Sequence, residues 1–597
     1  MMRTAQFKKI MTKDAVQFPG LPPQSESYWR QAAEALTRLY GGHSNFPHLL
    51  NEIGSRTLAA LQARPDELKC LDQQRPPNWY LKSGRPAYCA YIDRFGGTLA
   101  GSAARLDYLQ ALNVGIFHPL PLLKPREGDS DGGFAVADYR DVDPRLGSFD
   151  DLKDFATALR QRDMSLVLDM VLNHTAKEHG WAQRQLAGDP QFEDFYIVVK
   201  SKTEVDAWEE NLQDVFPDTA PGNFTLDERA GGYVWTTFYP FQWDLNYANP
   251  QVFIQMMDCL LHLANAGVEG FRLDSTAYLW KRLGTASRNL PETHDILRAF
   301  RALLSIVAPS VFLLAEAIES QASVLPFFGT PEDRECDLAY NNGVMTALWG
   351  ALADQKVDVL TKVITTAAEK PDHGQWLNYV RCHDDIIWHA LSDSAPKERL
   401  QHWSDFFAGK DSYAQGMAFQ APPGFPASGC GMAASLCGGR DDAMAIDRLK
   451  LLYGVTYALE GVPLLYMGDE IALENFEDFR NDPTLKDEMR WLHRPKMDWN
   501  KAAARSDLAT PQGEMYTFLA ELAQGLAILP FAAGMRVMDT EHPSLLHIER
   551  PLETGRFVCV ANFSPRPVTF TAPGTLIIGN EGTALAPYAV NWYVAGV

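Results

Sequence analysis

Eight short apolar runs, each followed by a longer stretch with helical spacing, constrain this chain more than any other feature. They are Tyr88–Ile92, Val114–Pro119, Leu166–Leu172, Val268–Leu273, Val311–Ala315, Asp337–Tyr340, Leu377–Arg381 and Val462–Met467. Runs rich in β-branched and aromatic residues read as strands, and strand-then-helix repeated eight times predicts an α/β fold, the closed (β/α)8 TIM barrel. An open doubly wound sheet shows the same alternation. The count of eight, and the polar residues that end several runs, favour the barrel.

Two connections exceed ordinary barrel loops. About 95 residues separate the third run from the fourth, and about 80 the seventh from the eighth. Structureless loops of that length are uncommon, so each is expected to be an inserted subdomain rising from the C-terminal face of the barrel. Upstream, Trp29 leads into QAAEALTRLY with Leu36, Leu39 and Tyr40 at helical spacing, and a second helix is expected over Phe46 to Leu61. From Ser544 the pattern alternates with period two (LLHIERP, GRFVCVANFS, PVTFTAP, VNWYVAG), which predicts an antiparallel β-domain. The expected organisation is a helical N-terminal unit (1–85), barrel (86–174), first insertion (175–262), barrel (263–386), second insertion (387–447), barrel end (448–540) and a C-terminal β-sandwich (541–597).

Hydrophobic residues make up 46% and charged residues 22%, as in an ordinary globular chain. The net charge of −21 repels phosphate backbones, which argues against a nucleic-acid partner and leaves a neutral substrate open. The eight cysteines form no CxxC pair, and no histidine cluster has zinc-ligand spacing, so no metal or other cofactor is expected and a reduced, cytoplasmic chain is. The opening MMRTAQFKKIMTKDAVQFPG is basic without an apolar core, so no leader is expected; no run reaches the roughly 18 apolar residues of a membrane span. A monomer or homodimer is expected.

The third run ends in Asp169 and continues to Asn173-His174, the fourth ends Arg272-Leu-Asp274, the fifth is followed by Glu316, and the seventh by His383-Asp384-Asp385. At the C-terminal ends of parallel barrel strands these groups converge on one pocket. Such a set supports acetal cleavage by two carboxyl groups, one attacking the anomeric carbon and one protonating the leaving oxygen. In a retaining mechanism they stand about 5–5.5 Å apart. Asp274 and Glu316, on adjacent strands, fit those roles. Arg272 is placed to hold Asp274 ionised, and the apolar approach Leu313-Leu314-Ala315 favours a protonated Glu316. His174, His383 and Asp384 are candidates to grip sugar hydroxyls.

The segments DMVLNH, GFRLD, AE and HDD resemble the four motifs of the α-amylase superfamily of glycoside hydrolases, in the same order. The resemblance implies Asp274 as nucleophile, Glu316 as general acid/base and Asp384 as transition-state stabiliser. Further segments are similar to the amylosucrase and sucrose hydrolase branch: SDGGFAVADYRDVDPRLG, VFPD, VWTTFYPFQWDLNYANP, WKRLGT with NLPETH, NYVRCHDDI and RWLHRP. That likeness implies a salt bridge between Asp131 and Arg490 closing a one-glucose pocket, Phe134 as a stacking ring, Phe238 and Gln242 near the cleaved bond, and Asp385 beside the substrate. It implies sucrose as substrate, with water or a saccharide as acceptor. Some superfamily members hold calcium near the positions of Asn173 and His174; the amylosucrase branch implies no such need.

The chain departs from the branch on the acceptor side. Phe134 stands where a tyrosine is usual, Gln213 where an arginine is common, and PASGCGMAASL (426–436) lacks a second expected arginine. The segment from Asp385 to Phe406 is shorter. These changes leave sucrose cleavage intact and tilt the expectation towards hydrolysis. The alternatives are an enzyme for another small α-glucoside (trehalose, maltose or isomaltose) and a catalytically silent binding subunit.

Overall fold

The computed structural model describes residues 18–76, 78–82, 84–128, 131–529 and 534–596. Most of the basic opening stretch, and with it the expectation of no leader, lies outside the described residues. All eight runs form the parallel strands of one closed barrel: β1 Ala87–Tyr91, β2 Ile116–Leu120, β3 Ser165–Val171, β4 Gly270–Asp274, β5 Phe312–Ala315, β6 Leu338–Tyr340, β7 Gln375–Tyr379 and β8 Val462–Tyr466. Each pairs with its sequence neighbours, and β1 closes the ring by pairing Ala87 with both Ile116 of β2 and Leu464 of β8. Every residue of every one of these strands is buried. Side chains fill the inside and helices cover the outside, so neither face accepts a polar stripe.

Between strands, caps set the helix starts. Ser148 and Asp151 form a reciprocal capping box at the head of Phe149–Arg160, satisfying two backbone donors that would otherwise be orphaned. Asn249 caps Pro250–Asn265, with proline at its first turn. That helix belongs to the outer ring and not to the insertion expected over 175–262: its Phe253 stacks on Phe300 of helix Pro291–Val307 with ring centres 4.5 Å apart. The inserted part therefore ends near Asn249. It contains the three-stranded sheet of Val198–Val199, Gly232–Trp235 and Phe224–Asp227. Its strand Gln242–Asp244 pairs with His174–Ala176. The second insertion contains helix Lys397–Phe407 and the pair Met417–Ala418 with Gly429–Cys430.

The N-terminal unit is helical, with Glu26–Tyr40 and Phe46–Ala63 as its main elements. The buried stripe Trp29, Ala32, Ala33, Leu36 and Tyr40 recurs at three- and four-residue spacing, which is why this segment needs a partner surface. Arg38 of the same helix pairs with Asp295 of Pro291–Val307 at 2.8 Å. The C-terminal region is a five-stranded antiparallel sheet with a separate two-stranded ribbon. It starts slightly before the expected boundary at 541, with Arg536–Val537 as its first strand. Trp592 anchors it by donating Nε1–H to the carbonyl of Gly454, where a Cβ would lie 2.4 Å from Val590. All eight cysteines are free. Among the described residues no helix is long and apolar enough to cross a membrane.

Candidate active site

A cavity of about 800 Å³ opens at the C-terminal ends of the barrel strands, between the two insertions. At its floor sits Arg272 of β4, almost wholly buried. Its Nη1 donates to Asp274 Oδ1 at 2.6 Å and to Asp169 Oδ1 at 3.0 Å. Its Nη2 lies 3.7 Å from Glu316 Oε1 and 3.6 Å from Asp384 Oδ2. Four carboxyl groups from four strand ends thus surround one guanidinium, which offsets the desolvation of gathering them. Behind Asp169, His118 Nε2 stands 3.0 Å from its Oδ2. Ser275 links the two expected catalytic acids: its hydroxyl donates to Asp274 Oδ2 at 2.8 Å and its N–H to Glu316 Oε2 at 2.7 Å. It does so from the left-handed region, at φ 52°, a conformation uncommon outside glycine and asparagine.

Glu316 carries the expected electrostatics. Burial raises its pKa to about 7, and the nearby Asp274 and Asp384 carboxylates push the same way against Arg272. The group is protonated in much of the population near neutrality, as a general acid requires.

Asp131, Phe134, His174, Phe238, Gln242, Arg272, Asp274, Glu316, Asp384, Asp385 and Arg490 all line the cavity. His174 Nε2 and Gln242 Oε1 are buried without a hydrogen-bond partner, which leaves them available to a ligand hydroxyl. Phe238 leans on His174 at 5.1 Å and on Tyr278 at 5.4 Å between ring centres. Burial raises the pKa of Asp385, against the opposing charge of Arg490.

One expectation is corrected. Asp131 and Arg490 do not form a salt bridge. Asp131 instead accepts from Gln242 Nε2 at 2.6 Å and from the Phe134 N–H at 3.2 Å. Arg490 pairs with Glu488, through Nε at 2.9 Å and Nη2 at 2.8 Å, and reaches Asp384 at 3.6 Å. Glu488 wins because it caps the same short turn, accepting the Arg490 N–H at 3.1 Å, and so is delivered to the guanidinium by local geometry. Burial opposes the Glu488 charge, but Arg490 holds its pKa down to about 2. His383 is buried beside Phe134, and neither of its ring nitrogens has a hydrogen-bond partner. Its ring stacks on Phe134 at 5.2 Å and 12°, and burial pushes its pKa well below the usual value. Its Nε2 lies 3.4 Å from Asp384 Oδ1.

The calcium position is also settled by a side chain. Next to Asn173, the Lys281 ammonium contacts Asn173 Oδ1 at 2.6 Å, Asp244 Oδ2 at 2.7 Å and the Tyr278 carbonyl. Lys281 and Asp244 are both buried, so the oxygen ligands a metal would use are already held by the chain's own cation, and the residues do not fit a metal. Elsewhere, Cys382, His383 and Asp384 present atoms within 4.8 Å of one another. Burial keeps the Cys382 thiol protonated, with its pKa raised to about 12, so this trio makes a poor ligand set.

Residues 63–401, more than half of the chain, match the alpha-amylase catalytic domain. The chain belongs to the alpha-amylase family. Within it, the chain is 30% identical over 390 residues to a trehalose synthase of Pimelobacter sp. (63% of each chain). It is 28% identical over 460 residues to the trehalose synthase/amylase TreS of Mycolicibacterium smegmatis (75% of this chain, 72% of that one). A glucosylglycerate phosphorylase of Spirochaeta thermophila is 34% identical over 303 residues, about half of each chain. Among solved structures, an isomaltulose synthase of Erwinia rhapontici superposes with TM-score 0.67 over 87% of this chain and 100% of its own, at 17% identity, a likeness of fold.

The sequence reading assigned no role to Asp169, His118, Ser275, Glu488, Lys281 or Asp244. Asp169 and His118 stood at strand ends and carried the same signal as the residues chosen. Glu488 and Lys281 lie in loops, and no spacing in the chain marks them.

Proposed function

We propose that this chain is a retaining α-glucoside-cleaving enzyme of the alpha-amylase family with sucrose as its substrate. Asp274 attacks the anomeric carbon and the bond to the leaving oxygen breaks. Glu316 gives that oxygen its proton, and fructose departs. The resulting glucosyl ester on Asp274 is then attacked by water or by a saccharide hydroxyl, whose proton returns to Glu316. Asp384, poised between two guanidiniums, stabilises the oxocarbenium charge. The observation that carries this reading is the cluster around Arg272, with one carboxyl ion-paired to it and its neighbour raised to about 7. Sucrose is supported by the motifs similar to the amylosucrase branch, and it is the natural substrate named for a solved isomaltulose synthase of like fold.

A second reading, trehalose or maltose as substrate, is favoured by the trehalose synthases among the relatives. Phosphorolysis, suggested by the name of another relative, is disfavoured by charge. Among the described residues the cavity wall carries eight carboxyl groups against three guanidiniums. Each guanidinium is already paired: Arg272 with Asp274, Arg288 with Glu319, Arg490 with Glu488. Comparing kcat/KM for sucrose, trehalose and maltose, with and without phosphate, tests the proposal. Fructose release from sucrose, unaffected by phosphate, is expected; a preference for trehalose above tenfold would overturn the substrate assignment.

A further inference from the structure

Ser275 does not do what its place in the chain would ordinarily ask of it. It precedes the short helix Thr276–Tyr278, where a serine hydroxyl commonly caps a backbone N–H, yet it makes no such cap. It takes the left-handed conformation instead, at φ 52° and ψ 39°, and turns its hydroxyl back onto Asp274, the residue before it. The backbone here is held from β5. Thr276 donates its N–H to the Glu316 carbonyl at 3.2 Å and its hydroxyl to the same oxygen at 2.8 Å. The Glu316 N–H returns to the Leu273 carbonyl at 3.1 Å. The join between β4 and β5 therefore delivers the Ser275 hydroxyl to Asp274, with the residue only 9% exposed on the cavity wall.

The two oxygens of Asp274 are held differently. Oδ1 accepts from Arg272 Nη1 at 2.6 Å, and the same nitrogen is fixed by Asp169 Oδ1 at 3.0 Å. Oδ2 accepts from the Ser275 hydroxyl at 2.8 Å, a neutral donor on one rotor. A guanidinium holds a carboxylate oxygen more strongly than a hydroxyl does, so Oδ2 is the oxygen freed at lower cost to attack. Once it carries glucose it is an ester oxygen, nearly uncharged and a poor acceptor, and the hydroxyl bond lapses. As the ester breaks, negative charge returns to Oδ2 and the bond re-forms on it. An interaction that is stronger in the transition state than in the state before it lowers the barrier between them.

We propose that Ser275 is a positioning residue for the second half of the reaction: its hydroxyl leaves Oδ2 as the attacking oxygen and stabilises that oxygen as the glucosyl ester breaks. The proposal rests on the glucosyl-enzyme reading above and says which step the residue governs. In that step the water oxygen attacks the anomeric carbon and the bond from that carbon to Oδ2 breaks. Its electron pair returns to Oδ2 under the Ser275 hydroxyl, and the water proton passes to Glu316. The first half runs the other way. There the hydroxyl steadies the free carboxylate more than the transition state formed from it, so it gives attack no advantage.

The test uses the full chain with p-nitrophenyl α-glucoside, whose aglycone leaves fast, so that breakdown of the ester limits turnover. Ser275→Gly removes the hydroxyl and accepts the left-handed backbone without strain; Ser275→Ala removes it and keeps a Cβ. In both variants kcat and KM should fall together, each by about fivefold or more. Rapid mixing should show a burst of p-nitrophenol approaching one per active site, with the chain heavier by one glucosyl group in intact-mass spectra. A structural role would lower kcat/KM and leave no burst. A kcat in Ser275→Gly within about twofold of the wild type, or above it, would overturn the proposal. So would a loss of kcat/KM without a burst in both variants. A wild type that releases no aglycone from this donor, sucrose or trehalose would instead sink the parent reading, and this one with it.

Discussion

The floor and the mouth of the cavity are built on opposite principles. At the floor, Arg272 and Asp169 come from barrel strands, are about 2% exposed in their side chains, and hold one another at 3.0 Å. At the mouth, Arg288, Glu319 and Phe425 come from three loops and stay partly exposed. Groups on packed strands have few rotamers left to lose, so their geometry is set before the substrate arrives. Groups on loops can change without disturbing the barrel. The difference teaches that the carboxyl cluster is fixed by the strand ends while the mouth is shaped by loops, so that either can change without the other.

Breaking the floor should have the largest effect. Asp274→Asn is expected to lower aglycone release on the order of 10⁴-fold from every donor. Activity within tenfold of the wild type in a steady-state assay would end the assignment. Next, Glu316→Gln should slow sucrose cleavage by about 10²- to 10⁴-fold but p-nitrophenyl glucoside cleavage far less, since that leaving group needs little protonation. In the wild type, kcat/KM for sucrose should decline as pH rises through about 7, because the acid form of Glu316 is the working one. A pH profile flat from 6 to 8.5 would contradict this.

The seam between floor and mouth gives a third test. Lys281→Ala strands Asp244 and Asn173 without their cation and should cost about 3–5 kcal/mol, read as a lower urea midpoint. A chelator should leave the wild-type midpoint unchanged. The smallest effect is expected from a carboxyl without a floor-type partner. Asp469, just past β8, accepts from Tyr453 at 2.5 Å, has Oδ1 unpartnered, and is raised by burial to about 7. The unfolded chain releases this proton near pH 4 and the folded chain near 7. The carboxyl therefore costs nothing below pH 4 and progressively destabilises the fold as pH rises towards 7. Asp469→Asn should gain about 2–3 kcal/mol of stability at pH 8 relative to pH 5, measured by thermal unfolding at both; no difference between the two would refute the account.

Much of the floor was legible because strand ends in a barrel have only one place to point. Arg272, Asp274, Glu316 and Asp384 needed no knowledge of loop paths, and all reach the same cavity. Asp131 and Arg490 were rightly brought to that cavity but wrongly paired with each other. Glu488, two residues from Arg490, reaches the guanidinium through a local turn, and nothing in the spacing of Asp131 and Arg490 ranks that contact against theirs.

The sequence by itself determined the eightfold alternation, the helical and β-rich flanks, the two long excursions and which strand-end carboxyls reach the cavity. Each of these follows from local hydrophobic patterning or from position at a strand end. Only the tertiary structure decided which charge partners which, that Lys281 holds the place of a metal, and that Arg288 and Phe425 share one rim. Those outcomes depend on where loops hundreds of residues apart come to rest, and on the few tenths of an ångström that make one ion pair outlast another in a buried, low-dielectric site.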